Sequence, residues 1–212
     1  MCEVEINPLE ASLFINLNII MKKILFILLC SVMLFASCSS CHKEKEIAST
    51  ELNVESVITT DKEYMLTNYG EYSWFETCIV LKDFLNEECD GTVSGISNVF
   101  QVIKEKDKGY DTQVVLIAHT PDTMSIDIKH GFWIEDNPLN NDSIISFKEA
   151  FDKLMVVNLP KPHSQQVVLR KEIGPVKCNP QYIFGNKKSQ IYVDAITGEV
   201  SEKNPAFPEG AK

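Results

Sequence analysis

Two Ser-x-x-Glu pairs, Ser73/Glu76 and Ser146/Glu149, each stand at the head of an apolar stripe, and three strand-length runs follow each pair. This order constrains the fold more than any other feature of the chain. A Ser hydroxyl that accepts an amide three residues on, with a Glu reaching back, marks a helix start. After Ser73, the residues Trp74, Cys78, Leu81 and Leu85, with Phe75, Ile79 and Phe84 beside them, recur at helical spacing, and Asp90-Gly91 closes the segment. Val93 to Lys104, Gln113 to His119 and Met124 to Glu135 then read as strands. Lys106-Asp107-Lys108-Gly109 and Thr120-Pro121-Asp122 supply the turns between them. After Ser146, the residues Phe147, Ala150, Phe151 and Leu154 make a second stripe, and Leu159-Pro160-Lys161-Pro162 ends it because proline cannot continue a helix. Strands are expected again at Gln165 to Lys171, Gln181 to Phe184 and Gln190 to Asp194.

The expected class is therefore α+β, a helix packed on a curled antiparallel sheet in the order α-β-β-β, and duplicated. The last strands of the two copies share an aromatic-aliphatic-acid run, Trp133-Ile134-Glu135 and Tyr192-Val193-Asp194. The first unit is placed at 56–142, the second at 143–203, and a C-terminal tail at 204–212.

Upstream, Met21-Lys22-Lys23 precedes an apolar run from Ile24 to Met33 that leads into Leu34-Phe35-Ala36-Ser37-Cys38. A short basic start, a brief apolar core and small residues before a cut are the pattern of an export signal, and the run is shorter than the about 20 residues of a membrane span. Residues 21–37 are read as the signal peptide, residues 1–20 as an upstream extension from a start called too early, and residues 38–55 as a flexible tether. Removing residues 1–37 leaves 175 residues with 18 basic and 27 acidic side chains, a net charge of about −9. That acidic balance, with Arg170 the sole arginine, disfavours neutralising a phosphate backbone, and no nucleic-acid partner is expected. Of the seven cysteines, Cys41, Cys78, Cys89 and Cys178 remain once Cys2 and Cys30 are lost and Cys38 is modified. Cys78 and Cys89 on one helix lie roughly 16 Å apart along its axis and cannot bond to each other. Small buried thiols are the commoner outcome, and a bridge from either one to Cys178 stays open.

The segment Leu34 to Cys38 resembles the lipobox of bacterial lipoproteins, which implies a diacylglyceryl group on Cys38 and a membrane partner reached through that anchor. It implies a cell-envelope address, an outer-membrane lipoprotein facing the periplasm or the surface. The run Ile191-Tyr192-Val193-Asp194-Ala195-Ile196-Thr197-Gly198-Glu199-Val200 resembles the closing signature of PepSY-type domains. Phe147-Lys148-Glu149-Ala150-Phe151 is similar to that family's helix opening, so the likeness covers Ser146 to Val200. In the first half Asn137-Pro138-Leu139 stands where Thr-Gly-Glu would be. The resemblance implies a cystatin-like arrangement in exported proteins that bind peptides or restrain proteases. Asp194 and Thr197 are expected to bond the backbone of a tight turn, with Gly198 supplying a positive φ.

Chemistry is harder to assemble. His119, His130 and His163 with Asp122, Asp127 or Glu135 lack H-x-H or H-x-x-x-H spacing, and neither G-x-S-x-G nor S-x-x-K occurs in a strand-to-helix setting. No catalytic residue, metal or cofactor is assigned. Trp133, Tyr182 and Tyr192 are the candidate binding residues, lining a sheet face for an extended peptide or a sugar. The leading expectation is a non-enzymatic, envelope-anchored protein that engages peptide or protein partners through an edge strand or a sheet groove. The enzymatic alternative is an NTF2-like cone whose curved sheet encloses a pocket, with His119 or Asp127 as general base. A structural subunit of a surface complex would instead show a large exposed apolar patch.

Overall fold

Asn53 opens the first helix, because its Oδ1 accepts the Ser56 amide at 2.8 Å and satisfies one of the unpaired donors of the first turn. Helix α1 (Val54–Tyr69) runs from there to Gly70, whose φ of 79° ends it while its amide donates to the Leu66 carbonyl at 3.1 Å. The computed structural model describes residues 51–106, 109–139 and 143–208. The expectations for the upstream extension, the signal peptide, Cys38 and the tether as far as residue 50 lie outside these residues.

The first expected helix is a strand. Residues from Ser73 form β1 (Ser73–Leu81), and 82–92 is a loop. Trp74, Phe75, Thr77, Ile79 and Val80 are aromatic or β-branched side chains that suit a pleated surface, and Thr77, Ile79 and Leu81 alternate inward. The Ser73/Glu76 pair therefore caps nothing. The helix of the first half lies upstream, and α1 takes the last two residues of the expected tether. Cys78 stands on β1, Cys89 in the loop, and both are free thiols, as is Cys178.

The remaining elements follow the expected order. They are β2 (Val93–Lys106), β3 (Gly109–His119), β4 (Met124–His130), β5 (Asp136–Asn137), α2 (Phe147–Val156), β6 (Gln166–Glu172), β7 (Gln181–Asn186), β8 (Ser189–Asp194) and β9 (Val200–Ser201). The third strand stops at His130 rather than Glu135, so Trp133-Ile134-Glu135 is loop and is not the counterpart of Tyr192-Val193-Asp194 on β8. Helix α2 does begin as expected, with the Ser146 hydroxyl accepting the Glu149 amide at 3.1 Å. Part of the expected tail is packed as well: Ala206 is buried, and its carbonyl accepts the Val176 amide at 3.3 Å.

The protein is α+β, with two helices and a nine-stranded antiparallel sheet among the described residues. The strand order is β4-β3-β2-β1-β6-β7-β8-β9, with β5 added beside β6. Each half runs helix then four-strand meander, and the order is palindromic about the central β1–β6 pair, where Cys78 lies opposite Val168. The repeated unit is thus one strand longer than expected, and its two copies join through their first strands.

Both helices contribute to one core. The register puts Thr77, Ile79 and Leu81 of β1 beside Ile96, Asn98 and Phe100 of β2 and Val115 and Ile117 of β3. On the other side it brings in Val167, Leu169, Tyr182, Phe184, Ile191 and Val193, and every one of these side chains is buried. Phe147 at the start of α2 sits among Phe151, Tyr182 and Phe184, with ring centroids 6.0, 6.3 and 6.4 Å away. Helix α1 is more polar. Its core-facing side carries Asp61 between Val54 and Met65, fully buried, where Oδ2 accepts from Asn98 Nδ2 at 2.7 Å and Oδ1 lies 2.8 Å from His119 Nε2. Burial pushes the Asp61 carboxyl up, against the lowering effect of its bonds to Asn98 and His119.

The two helices meet at one charged contact. Glu55 on α1 accepts the Phe147 amide at 2.6 Å, so a carboxylate of one half caps the positive end of the other half's helix. Glu55→Ala is expected to lower stability by about 1–2 kcal/mol, measured by urea unfolding, since it leaves that amide without its acceptor. A change within error would mean that the cap does not link the halves.

Candidate functional site

The helices cover one face of the sheet and leave the other without a helical layer. Alternation along the strands sends Glu76, Cys78 and Val80 of β1 to this second face, beside Arg170, Val168 and Gln166 of β6. Across β2 and β3 the same rows continue through Val99 to Leu116 and through Ser97 to Ala118. Val80 is 36% exposed, Gln166 is exposed, and Cys78, Val168, Ser97, Ala118 and Leu116 are half-buried. A shallow apolar strip with polar neighbours therefore crosses the seam between the halves. Just beyond this end of β1 and β6, the rings of Phe84 and His163 stack with centroids 4.3 Å apart and planes 6° apart.

At the other end of the strip lies a charged cluster. Glu76 and Arg170 are cross-strand neighbours, and the Arg170 guanidinium gathers Glu76 at 3.9 Å, Asp136 at 3.6 Å and Glu172 in a short hydrogen bond. The loop after β4 closes over them. Trp133 donates its amide to Gln101 Oε1 at 2.7 Å and its Nε1 to Asp136 Oδ2 at 3.1 Å, and β5 fixes Asp136 opposite Glu172. Asn204 from the C-terminal segment donates to the second Glu172 oxygen at 2.7 Å. Asp136 Oδ1 and Arg170 Nε are buried and make no hydrogen bond, so the pair is held by charge at a distance rather than by a short contact.

Three carboxylates around one guanidinium leave an excess of negative charge in a poorly solvated place. Burial, the negative charges of Asp136 and Glu135 and a bond to Asp136 raise the Glu76 carboxyl to about 7, against the lowering pull of Arg170. Asp136 is raised as well, first by burial, although Arg170 and Trp133 act the other way. Burial alone would lower Arg170, but its bond to Glu172 and the charges of Asp136, Glu172 and Glu76 carry it above the ordinary guanidinium value. Glu76 is thus the member of the cluster that takes up a proton as the pH falls through about 7. The members of the cluster bond each other, which is the arrangement of an internal lock on the loop that carries Trp133.

The three aromatic residues expected to bind do not share a surface. Tyr182 faces the helices, is buried, and donates its hydroxyl to the Ile145 carbonyl at 2.9 Å; burial pushes its phenol far up. It borders a groove of about 240 Å³ with Trp74, Leu169, Ile145 and Lys62, where the Lys62 ammonium lies 3.9 Å from the Trp74 ring centroid. Tyr192 points to the opposite face, is buried, and donates to Gln190 Oε1 at 2.8 Å. Trp133 alone is half-buried on the helix-free side.

The turn residues lie together. Asp194 Oδ1 accepts the amides of Ile196 at 2.8 Å and Thr197 at 2.9 Å, its carbonyl accepts the Gly198 amide at 2.8 Å, and Gly198 has φ 72°. Thr197 Oγ1 accepts the Glu199 amide at 3.3 Å. Burial pulls the Asp194 carboxyl upward, but the bonds from Thr197, Ile196, Asn179 and Gln181 outweigh it and leave the group below the usual carboxylate range.

The histidines go to three separate places. His119 bonds Asp61, His130 lies 3.4 Å from Asp111, and His163 stacks on Phe84. Asp127 stands on β4, 65% exposed beside Lys129. Among the described residues no group of three or more His, Cys, Asp or Glu side chains is placed to hold a metal ion, and no helix is long and apolar enough to cross a membrane. Sequence reasoning missed Glu76, Asp136 and Glu172 as partners of Arg170. The one available signal was the solitary arginine on an acidic chain, which must draw carboxylates wherever the fold buries it. No known protein family, curated protein or solved structure matches this chain.

Proposed function

We propose that the chain is an envelope-anchored lipoprotein, held through Cys38, that binds a peptide or protein partner on the helix-free face of its sheet and restrains an exported protease. On this reading each half resembles the PepSY-like, cystatin-like folds. A helix laid over an antiparallel meander in both halves supports this reading, as does the Asp194-Thr197-Gly198 turn, where a side chain and a glycine do the structural work.

One observation carries the binding reading. The strip from Val80 and Cys78 to Val168 stays partly exposed at the centre of the sheet, where the opposite face of β1, β2 and β6 is taken up by the core. Apolar surface left open beside ordered polar groups is the usual composition of a docking site. The charged cluster serves this surface by fixing Trp133 at its margin. The acids near it are bonded to Arg170, Trp133 or Asn204 and are not aimed into a cleft, which favours a positioning role over acid-base chemistry.

The test is photo-crosslinking in intact cells, with a photoreactive residue placed at Val80 or Gln166 and, as the control, at Lys148 on the exposed side of α2. A partner band at the first two positions and none at the third is the expected result. Equal labelling at all three, or none at Val80 and Gln166, would remove the assignment of this face.

A further inference from the structure

Strand β4 is bonded along one side only among the described residues, where it pairs with β3. We propose that the free side of β4 pairs with the same strand of a second copy, antiparallel about a two-fold axis through Ile128. The backbone fixes which residues face outward. Thr120 and Thr123 exchange backbone hydrogen bonds, and Gly131 donates its amide to the Thr112 carbonyl. Both contacts belong to the β3–β4 register, so alternate residues Ser125, Asp127 and Lys129 bond inward to β3, and Met124, Ile126, Ile128 and His130 present amides and carbonyls to the open edge.

The side chains of those outward-bonding residues point to the helix side, yet no helix covers them. Val115 and Ile117 on β3 are fully buried, and their partners Ile128 and Ile126 on β4 are 47% and 38% exposed, so the cover of α1 stops between the two strands. Met124 is exposed alongside them. An unpaired strand with a row of open apolar side chains and no proline keeps edges apart only through its charges, and here these are one Asp and one Lys, of opposite sign.

Charge selects the second copy and its register. Two-fold pairing through Asp127 would set Asp127 against itself, and pairing through Lys129 would set Lys129 against itself. Pairing through Ile126 would place Asp127 opposite Ser125 and leave Lys129 opposite Thr123. Pairing through Ile128 places Asp127 of each copy opposite Lys129 of the other, twice, in non-hydrogen-bonded positions where Cα atoms are only about 4.5 Å apart and cross-strand pairs are strongest. Ile128 then meets Ile128 on the axis. Only this register satisfies the outward backbone groups, both charge pairs and the apolar row together, and it is self-complementary as a two-fold interface requires.

Sedimentation of the full chain in density-matched detergent tests the proposal, with circular dichroism to confirm that each variant is folded. The unaltered chain is expected to sediment with twice the mass of one chain, and Ile128→Lys, which opposes two ammonium groups on the axis, as a monomer. Asp127→Lys and Lys129→Asp are each expected to weaken association by about tenfold or more, because each turns two attractive pairs into two repulsive ones. The double exchange Asp127→Lys/Lys129→Asp is expected to restore it. A monomer at all concentrations, a dimer that survives Ile128→Lys, or a double exchange that fails to rescue would overturn the proposal. A monomer that instead takes up an extended peptide along β4 overturns it too. None of these outcomes bears on crosslinking at Val80 and Gln166, so the two proposals fail separately.

Discussion

Replacing Arg170 with methionine should lower stability by about 3–5 kcal/mol at pH 7, the usual cost of breaking a buried ionic group by removing one partner. The size follows from what stays behind. Asp136 has a fully buried side chain, and Glu76 and Glu172 are 16% and 12% exposed, so three carboxyl groups would face one another with little water and no cation. Methionine keeps most of the side-chain volume, so loss of charge rather than of packing is what the variant reports. Urea unfolding at pH 7 and pH 5 measures it, and the deficit should shrink at the lower pH as the carboxyl groups take up protons. A loss below 1 kcal/mol at pH 7 would show that the cluster does not hold the Trp133 loop.

The second large effect is a pH slope assigned to one residue. Glu76 keeps its proton to about 7 in the folded protein, and an unfolded Glu ionises near 4.5. Between those values the folded state binds more protons than the unfolded state, so stability falls as pH rises through the window and levels off for this group on either side. The difference in pKa corresponds to roughly 3 kcal/mol. Glu76→Gln keeps the shape and removes the ionisation. It should flatten this part of the profile and leave the variant about 2–3 kcal/mol more stable than the unaltered chain at pH 8. Parallel profiles for the two proteins between pH 5 and pH 8 would contradict the assignment.

Much of the second half was legible because its signals agree. Ser146 caps α2, proline ends the following segment, and β6 to β8 are short runs with apolar centres, bounded by turns that carry Gly, Pro and Asn. The first half misleads because its signals conflict. Trp74, Cys78, Leu81 and Leu85 fit a helical period, and Thr77, Ile79 and Leu81 fit a strand; the β-branched and aromatic content decides, together with the two neighbours that β1 finds in the sheet. Helix α1 was hidden for a different reason. Its innermost position is Asp61, satisfied by Asn98 and His119 from other strands, so no unbroken apolar stripe announces it. For the charged cluster the solitary Arg170 was the single clue, and its partners were hidden, since Glu76, Asp136 and Arg170 come from three separate strands and meet only through register.

The palindromic strand order has a mechanical consequence. The halves are stitched by a ladder from Glu76 to Val80 against Gln166 to Arg170, and they share a single apolar interior, so neither can rotate against the other without breaking both. A partner docking at the seam, as proposed, would therefore meet a platform already rigid and lose little binding energy in ordering the receptor.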